Sequence, residues 1–289
     1  MLIVHAAGGR CTRYVRLQCS EAGALSSVTN PRQLGTKQKI VIALCLTGIG
    51  GFVDAVGYIA LFQIFTANMS GNSIHLGMYL ANLDWAGFLR PACAVVAYVS
   101  AMIVTRIAVQ IAARKRIRSI ASLTLSAEVV LLLLFARARP EMHFGQIVDL
   151  RSPAYFALVA LLAVAMGIQT ATLTHIGPLT VYTTFVTGTL TKFAESFARA
   201  LFWAYDHLQV AAKTSDIVRL APQQPDVRHA AFLAATWLCY LLGAASGAVA
   251  KYRWELRALY IPVVVLAAFV VIDQLYPVSL EEEHHQQTG

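Results

Sequence analysis

The sequence predicts an all-α integral membrane protein, and three observations favour this fold class. Of the 289 residues, 57% are hydrophobic and only 13% are charged, whereas soluble domains carry about a quarter charged residues. Mean hydropathy is +0.61. Six apolar runs approach the roughly 20 residues that a helix needs to cross a bilayer. These six predicted spans lie at about 39–61, 87–112, 119–136, 153–173, 229–250 and 258–277.

The segments before the first span and after the last span are predicted to be tails. Residues 1–36 form a basic N-terminal stretch in which Arg10, Arg13 and Arg16 follow the short apolar opening. A secretory signal has the reverse order, so we expect a disordered tail, and whether it is translated in the cell stays open. The acidic residues 278–289 are also expected to be disordered. Residues 37–277 are then a single transmembrane domain.

Two halves of this domain have the same order of elements. Each starts with a long span, continues through a polar segment and a shorter element at about 66–82 or 184–205, and ends with two further spans. GFVDA at 51–55 is matched by GIQTA 116 residues later, and FTANMSGN at 65–72 by YTTFVTGT 117 residues later. The equal order and near-equal spacing indicate a duplicated unit, with repeats at about 39–136 and 153–277.

The charge of the loops predicts how the halves are oriented. Basic residues gather in the N-terminal tail and at 114–118, and short loops rich in Lys and Arg stay cytoplasmic. Both lie inside only if the element at 66–82 is short or broken and does not cross. If 184–205 behaves alike, the fold has six full spans and two partial helices, arranged as inverted halves. The alternative, eight full spans, places the basic N-terminal tail outside.

The two polar segments are candidate binding segments. Backbone inside hydrocarbon must be paired internally, so a polar helix break there faces protein or a water-filled cavity. The side chains could bind an ion or a small polar solute, or only pack neighbouring helices. The candidate substrate- or ion-binding residues that they supply are Thr66, Asn68, Ser70, Gly71, Asn72, Thr187, Gly188 and Thr189.

Three further polar side chains lie within the predicted spans. Asp54 is late in the first span, where a carboxylate is costly and points to an ion or proton path, unless it caps interfacial backbone. Its counterpart in the second half is Thr170, beside Gln169, which we include as a candidate amide contact. Glu128 lies near the middle of the 119–136 span. It is a candidate for proton coupling, or a hydrogen-bonding partner for a neighbouring helix.

The sequence contains no motif that is typical of other classes of function. The sequence lacks HExxH, GxSxG and Walker patterns, so we do not expect an enzyme. No metal-ligand spacing is present, and neither a metal nor a cofactor is expected. The net charge of +8 lies largely in the tail and loops, which argues against a nucleic-acid partner. The expected partners are the lipid bilayer, a small polar solute or ion, and a second copy of the chain.

The two motif blocks resemble the signature of the YoaK-like family of bacterial multi-pass inner-membrane proteins of uncharacterised function. The first reads GFVDAVGYIALFQIFTANMSGN, with Ser70 where the family pattern has Thr. The second reads MGIQTATLTHIGPLTVYTTFVTGTLTKFAES, with Thr170 where the pattern has Asn. The resemblance covers about 38–277. It implies a multi-pass protein of the bacterial cytoplasmic membrane and names no substrate.

These features favour a secondary transporter or permease of a small polar solute or ion, with the candidate residues around a site at mid-depth. The N-terminus is predicted to be cytoplasmic. The alternative is a non-transporting membrane protein, such as a partner-binding or assembly factor, whose polar motifs only pack helices. The two hypotheses differ in whether both motifs meet around one polar cavity or each packs against a different helix.

Overall fold

The computed structural model of the protein describes residues 35–115, 120–138, 150–172, 175–176, 179–180, 186–210 and 220–275. Apart from residues 35 and 36, both predicted tails lie outside these ranges. The described ranges contain eight α-helices and one pair of two-residue antiparallel strands. The elements are α1 (Thr36–Ala60), α2 (Met69–Ala81), α3 (Trp85–Arg114), α4 (Ile120–Arg137), α5 (Pro153–Thr172), β1 (His175–Ile176), β2 (Leu179–Thr180), α6 (Val186–Val210), α7 (Pro225–Trp254) and α8 (Tyr260–Leu275).

Five helical stretches in the described part of the chain are long and apolar enough to cross a membrane. Four are α1, α3, α4 and α5, and the fifth is a 51-residue stretch, Pro225–Leu275, that contains both α7 and α8. Within it, a 3-10 turn at Glu255–Leu259 separates the two helices. Glu255 has a φ of 52°, a left-handed conformation that interrupts helical backbone. The chain is therefore a helical, multi-pass membrane protein, as the composition predicts.

The remaining two helices differ from these spans. α2 has 13 residues, so it is about 20 Å long and shorter than the roughly 30 Å hydrocarbon core of a bilayer. α6 has 25 residues, but Lys192, Glu195 and Arg199 interrupt its apolar surface. It is amphipathic, and its apolar side chains Phe197, Leu201 and others are exposed.

Helix pairing follows the same scheme in the first half, α1–α4, and in the second half, α5–α8. α1 packs on α7, and α5 packs on α3; α2 packs on α3, and α6 packs on α7. α4 contacts α5, and α8 contacts α1. Two further contacts join equivalent helices, α1 with α5 and α4 with α8. Exchanging the halves therefore converts each of the first six pairings into another that is present, and leaves the last two unchanged.

The first helices of the two halves run antiparallel. Tyr155, near the start of α5, donates its hydroxyl to the carbonyl of Leu61, just after the end of α1, at 2.8 Å. Gln169, near the end of α5, donates its amide to the carbonyl of Leu46, in the middle of α1, at 2.8 Å. Positions that advance along α5 thus meet positions that go back along α1.

The last helices of the two halves meet with opposite ends. The backbone N–H of Ser122, at the start of α4, donates to the carboxylate of Asp273 at 2.9 Å, and its hydroxyl donates to the same oxygen. Asp273 lies two residues before the end of α8. The start of α4 therefore lies beside the end of α8.

The helices that flank α2 both contact the start of α5. The preceding helix α1 ends beside Tyr155, as described above. The following helix α3 approaches the same part of α5, since Cys93 Sγ lies 3.6 Å from the carbonyl oxygen of Phe156. Both helices that flank α2 thus have contacts near the start of α5.

The apolar core lies among α1, α4, α5 and α8. Its fully buried side chains include Leu46, Leu132, Leu162, Met166 and Leu266. Lipid is as apolar as these side chains, so in a membrane this core is stabilised mainly by close packing and not by removal from water. The stability of the core therefore depends on how closely the helices pack against one another.

Candidate functional site

Glycines of the two matched motifs lie at close helix contacts. A Cβ added at Gly51 on α1 would lie 2.2 Å from the carbonyl oxygen of Tyr240 on α7. A Cβ added at Gly167 on α5 would lie 2.6 Å from the carbonyl oxygen of Tyr98 on α3. Any side chain at either glycine would thus push two backbones apart. Small residues at such positions are typical of tightly packed membrane helices.

The same two tyrosines bind the residue three positions after each glycine. The hydroxyl of Tyr240 donates to Asp54 Oδ2 at 2.8 Å. The hydroxyl of Tyr98 donates to Thr170 Oγ1 at 2.9 Å. We name these sets the first junction and the second junction; they consist of Gly51, Asp54 and Tyr240, and of Gly167, Thr170 and Tyr98.

In the first junction the carboxylate of Asp54 also holds the polar segment after α1. Asp54 Oδ1 accepts hydrogen bonds from the backbone N–H of Thr66 at 2.8 Å, from its hydroxyl at 3.0 Å, and from the N–H of Ala67 at 2.8 Å. With Tyr240, four donors reach a side chain that is only 4% exposed. Charge-assisted hydrogen bonds of this kind offset the desolvation of a buried carboxylate. Asp54 therefore connects α1, the polar segment and α7.

The helix break itself is built from left-handed backbone and an asparagine. Phe62 and Gln63 have φ values of 52° and 67°, which non-glycine residues adopt rarely. After this reversal, the backbone N–H of Phe65 donates to Asn72 Oδ1 at 3.1 Å, and Asn72 Nδ2 donates to the carbonyl of Phe65 at 2.7 Å. The buried Asn72 side chain thus pairs both backbone groups of Phe65, as an adjacent strand would.

The rest of the first polar segment starts α2. Asn68 is the N-cap residue, and its Oδ1 accepts hydrogen bonds from the Ser70 hydroxyl at 2.7 Å and from the Gly71 N–H at 3.4 Å. Thr66 is buried, Asn68 and Gly71 are half-buried, and Ser70 is exposed. The structure therefore brings these predicted site residues together in one compact turn. Their role as contacts for a solute stays a prediction.

The second polar segment is described only from residue 186, since residues 182–185 lie outside the described ranges. Thr187 is exposed, Gly188 is half-buried and Thr189 is buried in the first turn of α6. α6 packs on α7, whereas α2 packs on α3. The described parts of the two segments thus start helices with different packing partners, and a site shared by both stays a prediction.

Polar contacts also fasten α6 to the start of α7. Arg199 Nε lies 2.8 Å from Asp226 Oδ1, and Ser196 Oγ lies 3.2 Å from His229 Nδ1. The charged face of α6, which contains Arg199 and Glu195, thus makes contacts with α7 in part and is not only solvated.

Two buried side chains have oxygens without a hydrogen-bond partner among the described residues. Gln169 is 1% exposed and uses its amide nitrogen on Leu46, but its Oε1 accepts no hydrogen bond. Glu128 is 0% exposed, and neither carboxylate oxygen has a partner. In the described part of the chain, no group of three His, Cys, Asp or Glu side chains could hold a metal ion.

Neither tyrosine of the junctions is predicted from the sequence as a site residue. Single tyrosines are common in apolar spans, and nothing local distinguishes these two. A signal exists in the comparison of the halves, because AYVSA at 97–101 and CYLLG at 239–243 each place a small residue three positions after the tyrosine. Aligning the second long span of each half would have identified both.

Comparison with known proteins agrees with a transmembrane protein. A family model described as protein of unknown function (DUF1275) matches residues 42–272, which contain both junctions and both polar segments. The UPF0700 transmembrane protein YoaK of Bacillus subtilis (strain 168) is 28% identical over 172 residues, which cover 58% of this chain and 70% of that protein. No solved structure matches the chain. The predicted resemblance to YoaK-like membrane proteins is confirmed.

Proposed function

The chain belongs to the DUF1275 family of proteins of unknown function, and we propose that it is a secondary transporter or permease of a small polar solute or an ion. The observation that carries the proposal is the reciprocal helix pairing of the two halves, together with the antiparallel course of α1 and α5. Halves of opposite orientation are the architecture of many transporters, whose binding sites lie near the repeat interface.

The proposed membrane arrangement follows from the same pairing. α1, α3, α4, α5, α7 and α8 are the six crossing helices, and α2 and α6 are partial elements of an inverted repeat. Residues 37–277 form one transmembrane domain in the bacterial cytoplasmic membrane. The N-terminus is cytoplasmic, because the basic residues of the tail and of the 114–118 loop then lie inside.

In this proposal the two junctions are the pivots between the halves. Each places backbone against backbone at a glycine, so one helix can rotate on the other without moving an interlocked side chain. Only the first junction carries a charge. A cation or a solute that competes for the Asp54 carboxylate would release Thr66 and Tyr240 together, and so would couple binding to movement of the helix break.

The solute or ion would be bound beside these pivots by the polar residues of the two motif blocks. The proposed contacts are Asp54, Thr66, Asn68, Ser70, Gly71, Asn72, Gln169, Thr187, Gly188 and Thr189. Among them, Asn68 and Ser70 are accessible in the present conformation, and Thr187 is exposed. These three are the first groups that a solute could reach.

The test is flux through liposomes that contain the full-length protein. The panel of probes consists of monovalent cations, inorganic anions, amino acids and neutral polyols, each against protein-free vesicles. We expect flux for one class, and a marked loss of it in the double variant Asn68→Ala, Thr187→Ala. Ser73→Ala is the matched control, because it removes an exposed hydroxyl one turn further along α2. Flux that survives unchanged in the double variant would exclude the proposed contacts.

A second candidate function is a non-transporting membrane protein whose motifs pack helices. The observation in its favour is that Asp54 and Asn72 have their hydrogen bonds made within the protein. On this hypothesis Asn68→Ala lowers the melting temperature in detergent, and no solute of the panel crosses the vesicles or shifts that temperature. Transport of any probe above the protein-free level contradicts it.

A further inference from the structure

Glu128 lies at mid-depth in the apolar core. α4 has 18 residues and is about 27 Å long, and Glu128 is its ninth residue. It shares the buried face of α4 with Leu125, Leu132 and Phe135, which belong to the core cluster. The carboxyl group is thus about 13 Å from either end of the helix, with no exposed atom.

This carboxyl group does not match its surroundings in either charge state. Neither oxygen has a hydrogen-bond partner among the described residues. A buried carboxylate without a partner is strongly unfavourable, and a buried carboxylic acid leaves its hydroxyl without an acceptor. Ionisable side chains inside membrane proteins commonly lie on ion or proton paths for this reason. Glu128 therefore requires a partner that the described part of the chain does not supply.

A second orphaned acceptor lies on a neighbouring helix. Gln169 belongs to α5, which packs against α4, and its Oε1 is also buried without a donor. When Glu128 is ionised, both groups lack a hydrogen-bond donor. The missing partner is thus a cation or a hydrogen-bond donor, and not an anion.

A proton fits this environment better than a metal ion. Metal cations are held by several oxygen ligands at once, and the described residues contain no cluster of three His, Cys, Asp or Glu side chains. Within one turn of Glu128 the buried side chains are Leu125, Leu132 and Thr124, and the Thr124 hydroxyl donates to backbone carbonyls of its own helix. A proton requires only one oxygen.

We propose that Glu128 is the proton-carrying group of this protein. In a conformation that opens its side of α4 to water, a carboxylate oxygen uses a lone pair to form an O–H bond with a proton from hydronium, and water is released. In the opposite conformation the O–H bond breaks and the proton returns to water on the other side. This deepens the proposed function, on which it rests, by naming the proton as the coupling ion.

Several ionisable groups on the elements around α4 have other hydrogen-bond partners. On α5, Tyr155 is bound to Leu61; on α3, Tyr98 is bound to Thr170; and on α8, Asp273 is bound to Ser122. The other titratable or charged residues on α4 and on the elements packed against it are Arg137, Tyr260, Glu255, Arg257, Arg90, Cys93, Arg106 and Arg114. None of the described residues hydrogen-bonds to the Glu128 carboxyl group. The Glu128 carboxyl group is therefore not part of a hydrogen-bonded pair with any of them.

The decisive experiment is infrared difference spectroscopy of the purified full-length protein between two pH values, with the proton alone as the probe. We expect a carbonyl band of a carboxylic acid in an apolar environment that Glu128→Gln abolishes and Glu128→Asp displaces. Glu195→Gln is the matched control, since it removes an exposed carboxylate on α6. A band that persists in Glu128→Gln, or that is lost equally in Glu195→Gln, overturns the proposal. Glu128→Asp keeps the test valid if the glutamine variant does not fold.

A transport measurement separates this inference from the proposed function. For the solute class that the liposome panel identifies, Glu128→Gln should lose accumulation driven by a pH gradient and keep solute exchange without a gradient. Replacing Na⁺ by K⁺ or choline should change neither rate. Gradient-driven accumulation in Glu128→Gln, or dependence on Na⁺, overturns the proton site and leaves transport standing. A Glu128-dependent infrared band in a protein that moves no solute supports the proton site and contradicts transport.

Discussion

The first and second junctions use the same contact between helices, yet they differ in the group that the tyrosine binds. Tyr240 meets the carboxylate of Asp54, and Tyr98 meets the hydroxyl of Thr170. The glycine contact needs no charge, because the second junction closes without one. The carboxylate is instead explained by its additional partners in the polar segment, Thr66 and Ala67. The close helix contact and the hydrogen bonding of the polar segment therefore have separate requirements, and only the second involves a buried charge.

The largest effect should come from removing that charge. Asp54→Ala leaves the N–H groups of Thr66 and Ala67 and the hydroxyl of Tyr240 without an acceptor, and we expect a loss of about 4 kcal/mol in the free energy of unfolding. Thr170→Ala should lose about 1 kcal/mol, because a single neutral hydroxyl is removed. Unfolding in detergent measures both. Equal losses would mean that Asp54 contributes no more to the free energy of unfolding than Thr170 does.

The glycine contacts should follow in size. Gly51→Ala places a methyl group 2.2 Å from a carbonyl oxygen, and Gly167→Ala places one at 2.6 Å. Overpacking of this kind costs about 1–3 kcal/mol, with the larger loss expected at Gly51. The control is Gly77→Ala on α2, where a Cβ meets nothing within 4 Å and alanine should favour the helix by nearly 1 kcal/mol. Melting temperatures should rank Gly77→Ala highest and Gly51→Ala lowest; the reverse order for the two junctions would contradict the geometry.

The tyrosine hydroxyls should have a smaller and unequal effect. Tyr240→Phe removes a hydrogen bond to a carboxylate, for which we expect about 2 kcal/mol, and Tyr98→Phe removes one between neutral groups, for which we expect about 1 kcal/mol. A double-mutant cycle of Tyr240→Phe with Asp54→Asn isolates the pair. If the cycle gives no coupling energy, the bond between Asp54 and Tyr240 is not a stabilising contact.

The smallest effect should come from the ion pair that fastens α6 to α7. Arg199 is largely exposed, with 54% of its side chain accessible. Exposed pairs are worth at most about 1 kcal/mol and are screened by salt. Arg199→Ala should therefore lower the melting temperature slightly at low ionic strength and hardly at all at high ionic strength. A large loss that salt does not reduce would indicate that α6 is fastened as firmly as the break after α1.

The sequence predicts the helices well and the junctions only in part. The span predicted at 87–112 is observed as Trp85–Arg114, because apolar length is what a bilayer selects. Asp54 is identifiable as an anomaly in an apolar run. Its hydrogen-bonding partners are not, since the reversal that brings Thr66 back over α1 passes through Phe62 and Gln63, two residues with no preference for left-handed backbone.

The tyrosine of each junction cannot be predicted from local sequence for a similar reason. Tyr240 reaches Asp54 across 186 residues of sequence, and such a contact leaves no mark on the periodicity of either helix. The candidate residues Thr187, Gly188 and Thr189 stay predictions, because the residues that precede them lie outside the described ranges. The antiparallel course of α1 and α5 likewise emerges only from two paired contacts along these helices.

The separation between Asp54 and Tyr240 also has a consequence for biosynthesis. Ribosomes make the chain from its N-terminus, so α1 enters the membrane long before α7 exists. During that interval three of the four donors to Asp54 are already present, because Thr66 and Ala67 lie only 12 and 13 residues away. The residues after α1 can thus hydrogen-bond the Asp54 carboxylate while the second half is still being translated. Tyr240 adds the fourth hydrogen bond once α7 has been made.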